Sequence, residues 1–257
     1  MPRFALCALA LQFLAGAAVA DPFASDWAPA FKSSARLVAG DGLRAGVEIK
    51  LSPGAITYWR DPGDAGLPPT FDFSRSDNLA SATVDYPAPK RIAEADGGVA
   101  IGYDSGVVLP IRIAPIDPAK PVALNLALTY AVCEKICLPA RADLTLTVRP
   151  NVSSPFGAAV DGALAKAPTA LAADQVRIGE GGKRLCLDKA AGQSAFLLLE
   201  GPPGWRANGA PDPQGDGCFF VNLVEKPALS AGKTRVRLTF VGTGQAYQTD
   251  VDLADLS

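Results

Sequence analysis

The sequence predicts an all-β chain, an antiparallel β-sandwich followed by a second, smaller β-domain. Three observations carry this. Apolar and polar residues alternate with period two in several segments, Gly (25) and Pro (22) are frequent without any repeat, and the texture changes after Pro150 before strand-like alternation returns. A chain of 257 residues with 49% hydrophobic and 19% charged residues has ample core-forming material and is not a disordered one.

The first segment reads as an address. Arg3 precedes an apolar run from Phe4 to Val19, and Ala18-Val19-Ala20 stands before Asp21-Pro22. A basic start, an apolar centre and small residues at the end describe a secretory signal peptide over residues 1–20, cut after Ala20. The competing reading, a retained membrane anchor, calls for about 20 apolar residues, and this run is shorter. Every later apolar run is broken by charge, Gly or Pro, so the mature chain is expected to carry no membrane span.

The elements of the mature chain follow in order. Leu43, Ala45, Val47, Ile49 and Leu51 alternate with polar or small residues, which marks a half-buried strand. Segments 55–60, 69–73, 80–86 and 106–113 are weaker candidates. Val122, Leu124, Leu126, Leu128, Tyr130 and Val132 alternate strongly, as do Leu144, Leu146 and Val148. Turns at Ser52-Pro53-Gly54 and Asp96-Gly97-Gly98 separate strands. The sandwich is read over residues 21–150, with about eight strands after residue 30. Ser154-Pro155 predicts a helix start, Ser as N-cap and Pro at the first helical position, with a short Ala-rich helix over 155–167 and a linker over 168–173. Val236, Leu238 and Phe240, then Tyr247, Val251 and Leu253, place strands in a second β-domain over 174–257. One continuous sandwich with a helical insertion is the alternative.

Composition removes whole classes of function. Lys and Arg number 24 against 26 Asp and Glu, so no basic excess exists to meet phosphates and no nucleic-acid partner is expected. The chain has no His, which excludes the Ser-His-Asp triad, the Cys-His dyad and His-liganded zinc. Asp61 and Asp64 lack the remaining ligands of a calcium loop, and the acidic residues form no convincing catalytic pair.

Cysteine carries the chemistry. Cys7 leaves with the signal, and Cys133, Cys137, Cys186 and Cys218 remain, an even number that predicts disulfides in an exported protein. Four cysteines allow three connectivities, and proximity favours Cys133–Cys137 and Cys186–Cys218. The first pair stands in Cys133-Glu134-Lys135-Ile136-Cys137-Leu138-Pro139, read as the connection between a strand ending at 132 and another starting at 140. A bridge across so short a loop removes little chain entropy and is a weak staple, which favours a reversible dithiol. A structural bridge at a sheet corner and a Cu(I) site on two thiolates remain open; copper would need ligands from a partner, because the only Met is the initiator. Zinc would require all four cysteines at an unsuitable spacing, so no metal and no organic cofactor is assigned. Lys135 and Arg141 would favour a thiolate here, while Glu134 would oppose it. Cys186 and Cys218 sit in strand-like contexts and read as a structural disulfide, with a second redox pair as the sharper alternative.

Three segments resemble the N-terminal periplasmic domain of the DsbD/ScsB-type disulfide reductases. They are Tyr58-Trp59-Arg60-Asp61-Pro62-Gly63-Asp64-Ala65-Gly66-Leu67-Pro68-Pro69, Tyr86-Pro87-Ala88-Pro89-Lys90-Arg91, and Tyr130 to Ala140 around the cysteine pair. The resemblance is best over residues 30–150. It implies a periplasmic immunoglobulin-like domain whose Cys133 and Cys137 take electrons from a membrane reductant conduit and pass them to exported thiol proteins. It further implies that Cys137 attacks and Cys133 resolves. It also suggests that the segment holding Tyr58, Trp59, Pro62 and Leu67 folds over the cysteines as a cap; the plain reading makes the aromatics core residues and Pro62-Gly63 a turn. The membrane module and the Cys-x-x-Cys domain of the full-length reductases are not found in the sequence, so a separate membrane protein would supply the electrons. A non-catalytic protein-binding module and a copper-handling protein are the rival functions.

Overall fold

The computed structural model describes residues 21–63, 66–94, 97–187, 196–213, 217–225 and 233–253. The signal segment read over residues 1–20, and Cys7 with it, lies outside them. Among the described residues no helix is long and apolar enough to cross a membrane.

The first half of the chain contains β1 (Ala28–Ala30), β2 (Ser33–Ala39), β3 (Arg44–Leu51), β4 (Ile56–Tyr58), β5 (Thr70–Asp72) and β6 (Leu79–Val84). It continues with β7 (Lys90–Ala93), β8 (Val99–Tyr103), β9 (Val107–Pro115), β10 (Val122–Cys133) and β11 (Cys137–Val148). One sheet has the order β1-β2-β3-β9-β6, and the other β11-β10-β4-β8-β7 with β5 also paired to β10. Together they make the immunoglobulin-like sandwich. Leu37, Val47, Leu109 and Ile111 of the first sheet share one core with Leu124, Leu126, Leu128 and Leu144 of the second. Each such side chain contributes about 1.5–3 kcal/mol by leaving water.

Several strands lack the alternation that sequence reading requires. β2 is buried on both faces over Leu37-Val38-Ala39, and β8 is buried throughout Ala100–Tyr103. Doubly buried strands read as plain apolar runs, so β2 and β8 escaped the period-two pattern. The Ser52-Pro53-Gly54 turn forms, with the Ala55 N–H donating to the Ser52 carbonyl and Gly54 at φ 80°.

After β11 the helix α1 spans Gly157–Leu164, shorter than the predicted 155–167. Ser154 is not its N-cap: Phe156 holds that position, and the Ser154 hydroxyl instead accepts from the Phe156 N–H and donates to the Ala39 carbonyl. Helix α1 lies on the outer face of the first sheet, where Val160 packs with Ala24 and Val38. The predicted linker contains β12 (Thr169–Ala170), which joins the next sheet. The strands β13 (Val176–Gly179), β14 (Arg184–Leu187), β15 (Phe196–Glu200), β16 (Arg206–Pro211), β17 (Cys218–Glu225), β18 (Thr234–Val241) and β19 (Ala246–Leu253) complete the second β-domain. Its sheets run β12-β19-β18-β15 and β13-β14-β17-β16, around a separate core of Leu185, Phe219, Leu238 and Phe240.

Gly102 of β8 pairs with Tyr58 of β4, and a Cβ there would strike the Thr57 carbonyl oxygen. Gly102→Ala should therefore lower stability by roughly 1–3 kcal/mol. Gly162→Ala, with open space around it on α1, should raise stability by about 0.5–1 kcal/mol. Chemical denaturation distinguishes the two. Burial pushes the Tyr86 phenol up to about 12, Arg60 opposing and Glu200 adding, and burial holds Tyr103 well above its usual range. Both phenols keep their protons more tightly when folded. Their contribution is complete below the ordinary phenol value of about 10 and is lost as pH rises through the folded values. The urea midpoint should stay level to the high nines and fall between about pH 10 and 12.

Candidate functional site

β10 and β11 form a hairpin whose ladder runs from Val122↔Val148 to Cys133↔Cys137, leaving only Glu134, Lys135 and Ile136 as its tip. The two cysteines face each other across the last pair, with Cα atoms 4.1 Å apart and a disulfide between them. That separation belongs to a non-hydrogen-bonded antiparallel pair, which sits near 4.5 Å. Pairs alternate, so Ala131↔Pro139 is also non-hydrogen-bonded, and the missing N–H of Pro139 removes no ladder bond. β11 is moreover an edge strand, where Pro is tolerated. This corrects the expectation that both cysteines lie in the connection between two strands, the second starting at 140: β10 ends at Cys133, and β11 begins at Cys137 and runs through Pro139.

Alternation then decides what each sulfur meets. Leu124 to Val132 send even-numbered side chains into the sandwich core. Ala131 and Cys133 point to the opposite face, into a small cluster with Tyr58 and Ala100, lined by Ile56 and Ile92. β4 obeys the same rule: Ala55 and Trp59 enter the core, while Ile56 and Tyr58 reach the sulfurs.

The two sulfurs are unequal. Cys133 is 3% exposed, whereas Cys137 is exposed between Ile136 (58%) and Leu138 (37%). The Tyr58 hydroxyl lies 2.7 Å from the Cys133 sulfur and 3.3 Å from that of Cys137. It also donates to Glu94 Oε1 at 3.4 Å, and Glu94 Oε2 is buried with no hydrogen-bond partner among the described residues. A phenol bridging two sulfurs and a carboxylate can donate to a thiolate and hand a proton to the acid. Of the predicted charged neighbours, Glu134 pairs with Lys32 at 3.5 Å, and Lys135 and Arg141 are exposed.

The predicted cap residues separate. Tyr58 covers the sulfurs. Trp59 is fully buried in the sandwich core, because its neighbour in a strand must face the other way. Pro62 is buried and accepts from the Ile101 N–H, and Leu67 is 56% exposed. A Cβ on Gly66 would fall 2.7 Å from the Tyr58 ring, so the segment after β4 lies on the phenol and the phenol lies on the sulfurs. Asp64 and Ala65 lie outside the described residues. Sequence reading missed Glu94, Ile92 and Ala100. Ile92 of β7 and Glu94, just past its end, stand two residues apart, a short alternation hidden behind Tyr86-Pro87-Ala88-Pro89.

The second disulfide joins Cys186 and Cys218, a directly opposed pair of β14 and β17 with Cα atoms 4.0 Å apart. Both sulfur-bearing residues are buried. No group of three or more metal-ligating side chains occurs among the described residues.

The model of the family "Thiol:disulfide interchange protein DsbD, N-terminal" matches residues 24–149, a span that contains the whole hairpin and its Cys-x3-Cys tip. Residues 24–149 belong to the DsbD N-terminal family. A DsbD N-terminal domain thus makes up the first half of the chain. In fold the chain is similar to the crystal structure of the N-terminal periplasmic domain of ScsB from Proteus mirabilis, with a TM-score of 0.70 and 20% identity over 91% of this chain and 99% of that one. That likeness extends past the DsbD N-terminal domain into the second β-domain. No curated protein matches the chain.

Exposure should rank the two bridges of this DsbD-type chain. Mild dithiothreitol is expected to open Cys133–Cys137 first and leave Cys186–Cys218 intact, since exchange requires access to a sulfur. Mass spectrometry after quenching with an alkylating agent reads the order.

Proposed function

We propose that the chain is a periplasmic thiol:disulfide interchange protein, exported by the 1–20 leader, that carries electrons on Cys133 and Cys137. The observation that carries this reading is the asymmetry of the bridge. One sulfur is open to partners, and the other is buried under a phenol within hydrogen-bonding distance of a carboxylate.

In the reduced state the Cys137 thiolate attacks a partner's disulfide. A Cys137–partner S–S bond forms, and the partner's other sulfur leaves as a thiolate that takes up a proton. Cys133 then loses its proton, with Tyr58 and Glu94 as the nearest acceptor path, and its thiolate attacks the Cys137 sulfur. The intramolecular bridge re-forms and the partner leaves as a dithiol. Two electrons have passed to the partner, and the pair is oxidised. A dithiol of a membrane reductant conduit returns two electrons by the reverse sequence, again entering at Cys137. The exposed Ile136 and Leu138 beside Cys137 would supply apolar contact to both partners.

The division of the chain supports the same reading. Residues 21–150 would form the exchanging domain, 151–173 a helix and connection, and 174–257 a supporting domain. In that domain Cys186–Cys218 acts as a staple, closing a loop of 32 residues worth about 3–4 kcal/mol.

Trapping tests the order of attack. Reduced Cys133→Ala, given oxidised glutathione as the probe, should accumulate a stable mixed disulfide on Cys137. Cys137→Ala should form its adduct on Cys133 on the order of tenfold more slowly, because that sulfur is buried. Intact-mass time courses read both. Equal rates would remove the assigned order, and a wild-type pair that no thiol reduces would end the exchange reading.

A further inference from the structure

Three successive residues send their side chains to three places. Tyr58 reaches the disulfide, Trp59 enters the sandwich core, and Arg60 crosses to the second β-domain. The Arg60 guanidinium meets Glu200 of β15 as a fork, Nε to Oε1 and Nη2 to Oε2, both at 2.8 Å. Nη2 also donates to Thr239 Oγ1 of β18 at 3.4 Å and Gln248 Oε1 of β19 at 3.3 Å. One side chain of the first domain therefore ties three strands of the second. The same guanidinium stacks on Trp59, 3.9 Å from its ring centre. Arg60 and Glu200 are each only 20% exposed, so the pair is screened less than a surface ion pair.

A second contact follows the same plan. Arg91 of β7 lies over Phe196 of β15 at 5.9 Å, and its neighbour Ile92 lines the Cys133 cluster. The second domain thus grips the first at residues adjoining two of the walls of the sulfur site.

We propose that Arg60 is a positioning residue for the Cys133–Cys137 pair. Its clamp on Glu200 holds the end of β4, and with it Tyr58, against the sulfurs, so that docking of the second β-domain sets the reactivity of the disulfide. The inference rests on the exchange reading above. Arg is required for its fork and its stacking plane, and Lys supplies neither. Releasing the clamp frees Tyr58 from one of its two flanking anchors and lets its hydroxyl leave the two sulfurs.

The test uses the full chain and a double-mutant cycle. The rate of Cys133–Cys137 reduction by dithiothreitol is measured for wild type, Glu200→Gln, Arg60→Lys, Tyr58→Phe and the Tyr58→Phe/Glu200→Gln pair. Glu200→Gln and Arg60→Lys should each speed reduction about tenfold, the size expected for residues sharing one network. In the Tyr58→Phe background, Glu200→Gln should add little, because its effect travels through the phenol. A merely structural clamp would give independent, multiplying effects, and that result overturns the proposal, as do folded single variants that reduce at the wild-type rate. Circular dichroism confirms folding, and if Arg60→Lys does not fold, the conservative Glu200→Gln decides. A wild-type bridge that resists reduction altogether defeats the exchange reading itself, a different failure from that of the clamp.

Discussion

The register of the β10–β11 ladder is the constraint on which the rest depends. Every residue of the hairpin is assigned to a face by its pairing, from Val122 opposite Val148 to Cys133 opposite Cys137. A slip by one position would drive Cys133 into the sandwich core and turn Val132 outward. The register is held by the apolar face: Leu124, Leu126, Leu128, Tyr130 and Val132 on β10, with Ala142, Leu144, Leu146 and Val148 on β11, are buried together. The Tyr130 hydroxyl adds a hydrogen bond to Ser33 across the sandwich at 2.9 Å. The chemistry at the tip is thus specified by hydrophobic burial along the whole length of the hairpin.

This also explains what could be read in the sequence and what could not. The alternation of 122–132 and 144–148 was visible because one face of each strand is buried and the other is not. The start of β11 was obscured by Cys137-Leu138-Pro139, which reads as a break until the pairing shows that Pro139 lies at a position requiring no donor. β2 and β8 were hidden by burial on both faces. The cysteine pair was plain from spacing, but its inequality was not, because it arises from Tyr58, Ile92 and Ala100, brought in from three other strands. Glu94 carried no signal of its own: an isolated acidic residue gains meaning only when a fold places a phenol beside it.

The two disulfides are built alike and sit in different surroundings. Each joins directly opposed residues of neighbouring antiparallel strands. Cys186 and Cys218 also end a ladder, but on two inner strands of their sheet, both buried, where a thiol reagent finds no sulfur to approach. Cys133 and Cys137 terminate a ladder at a hairpin tip, on an edge strand, with one residue of the pair exposed. Position within the sheet separates them, since local geometry is nearly the same. The smaller second domain, with the more modest core, is the one whose bridge is sealed.

The tripeptide Tyr58-Trp59-Arg60 has a consequence for how such a chain can diverge. Three neighbours serve the sulfurs, the core and the second domain in strict succession. Deleting a single residue just before them would shift all three assignments at once, offering an indole to the disulfide and a guanidinium to the core, and inserting one would offer the phenol to the core and the indole to the second domain. Chain length at this point is therefore as restricted as residue identity. Descendants of such a protein could exchange side chains here one at a time, but they could not change the count.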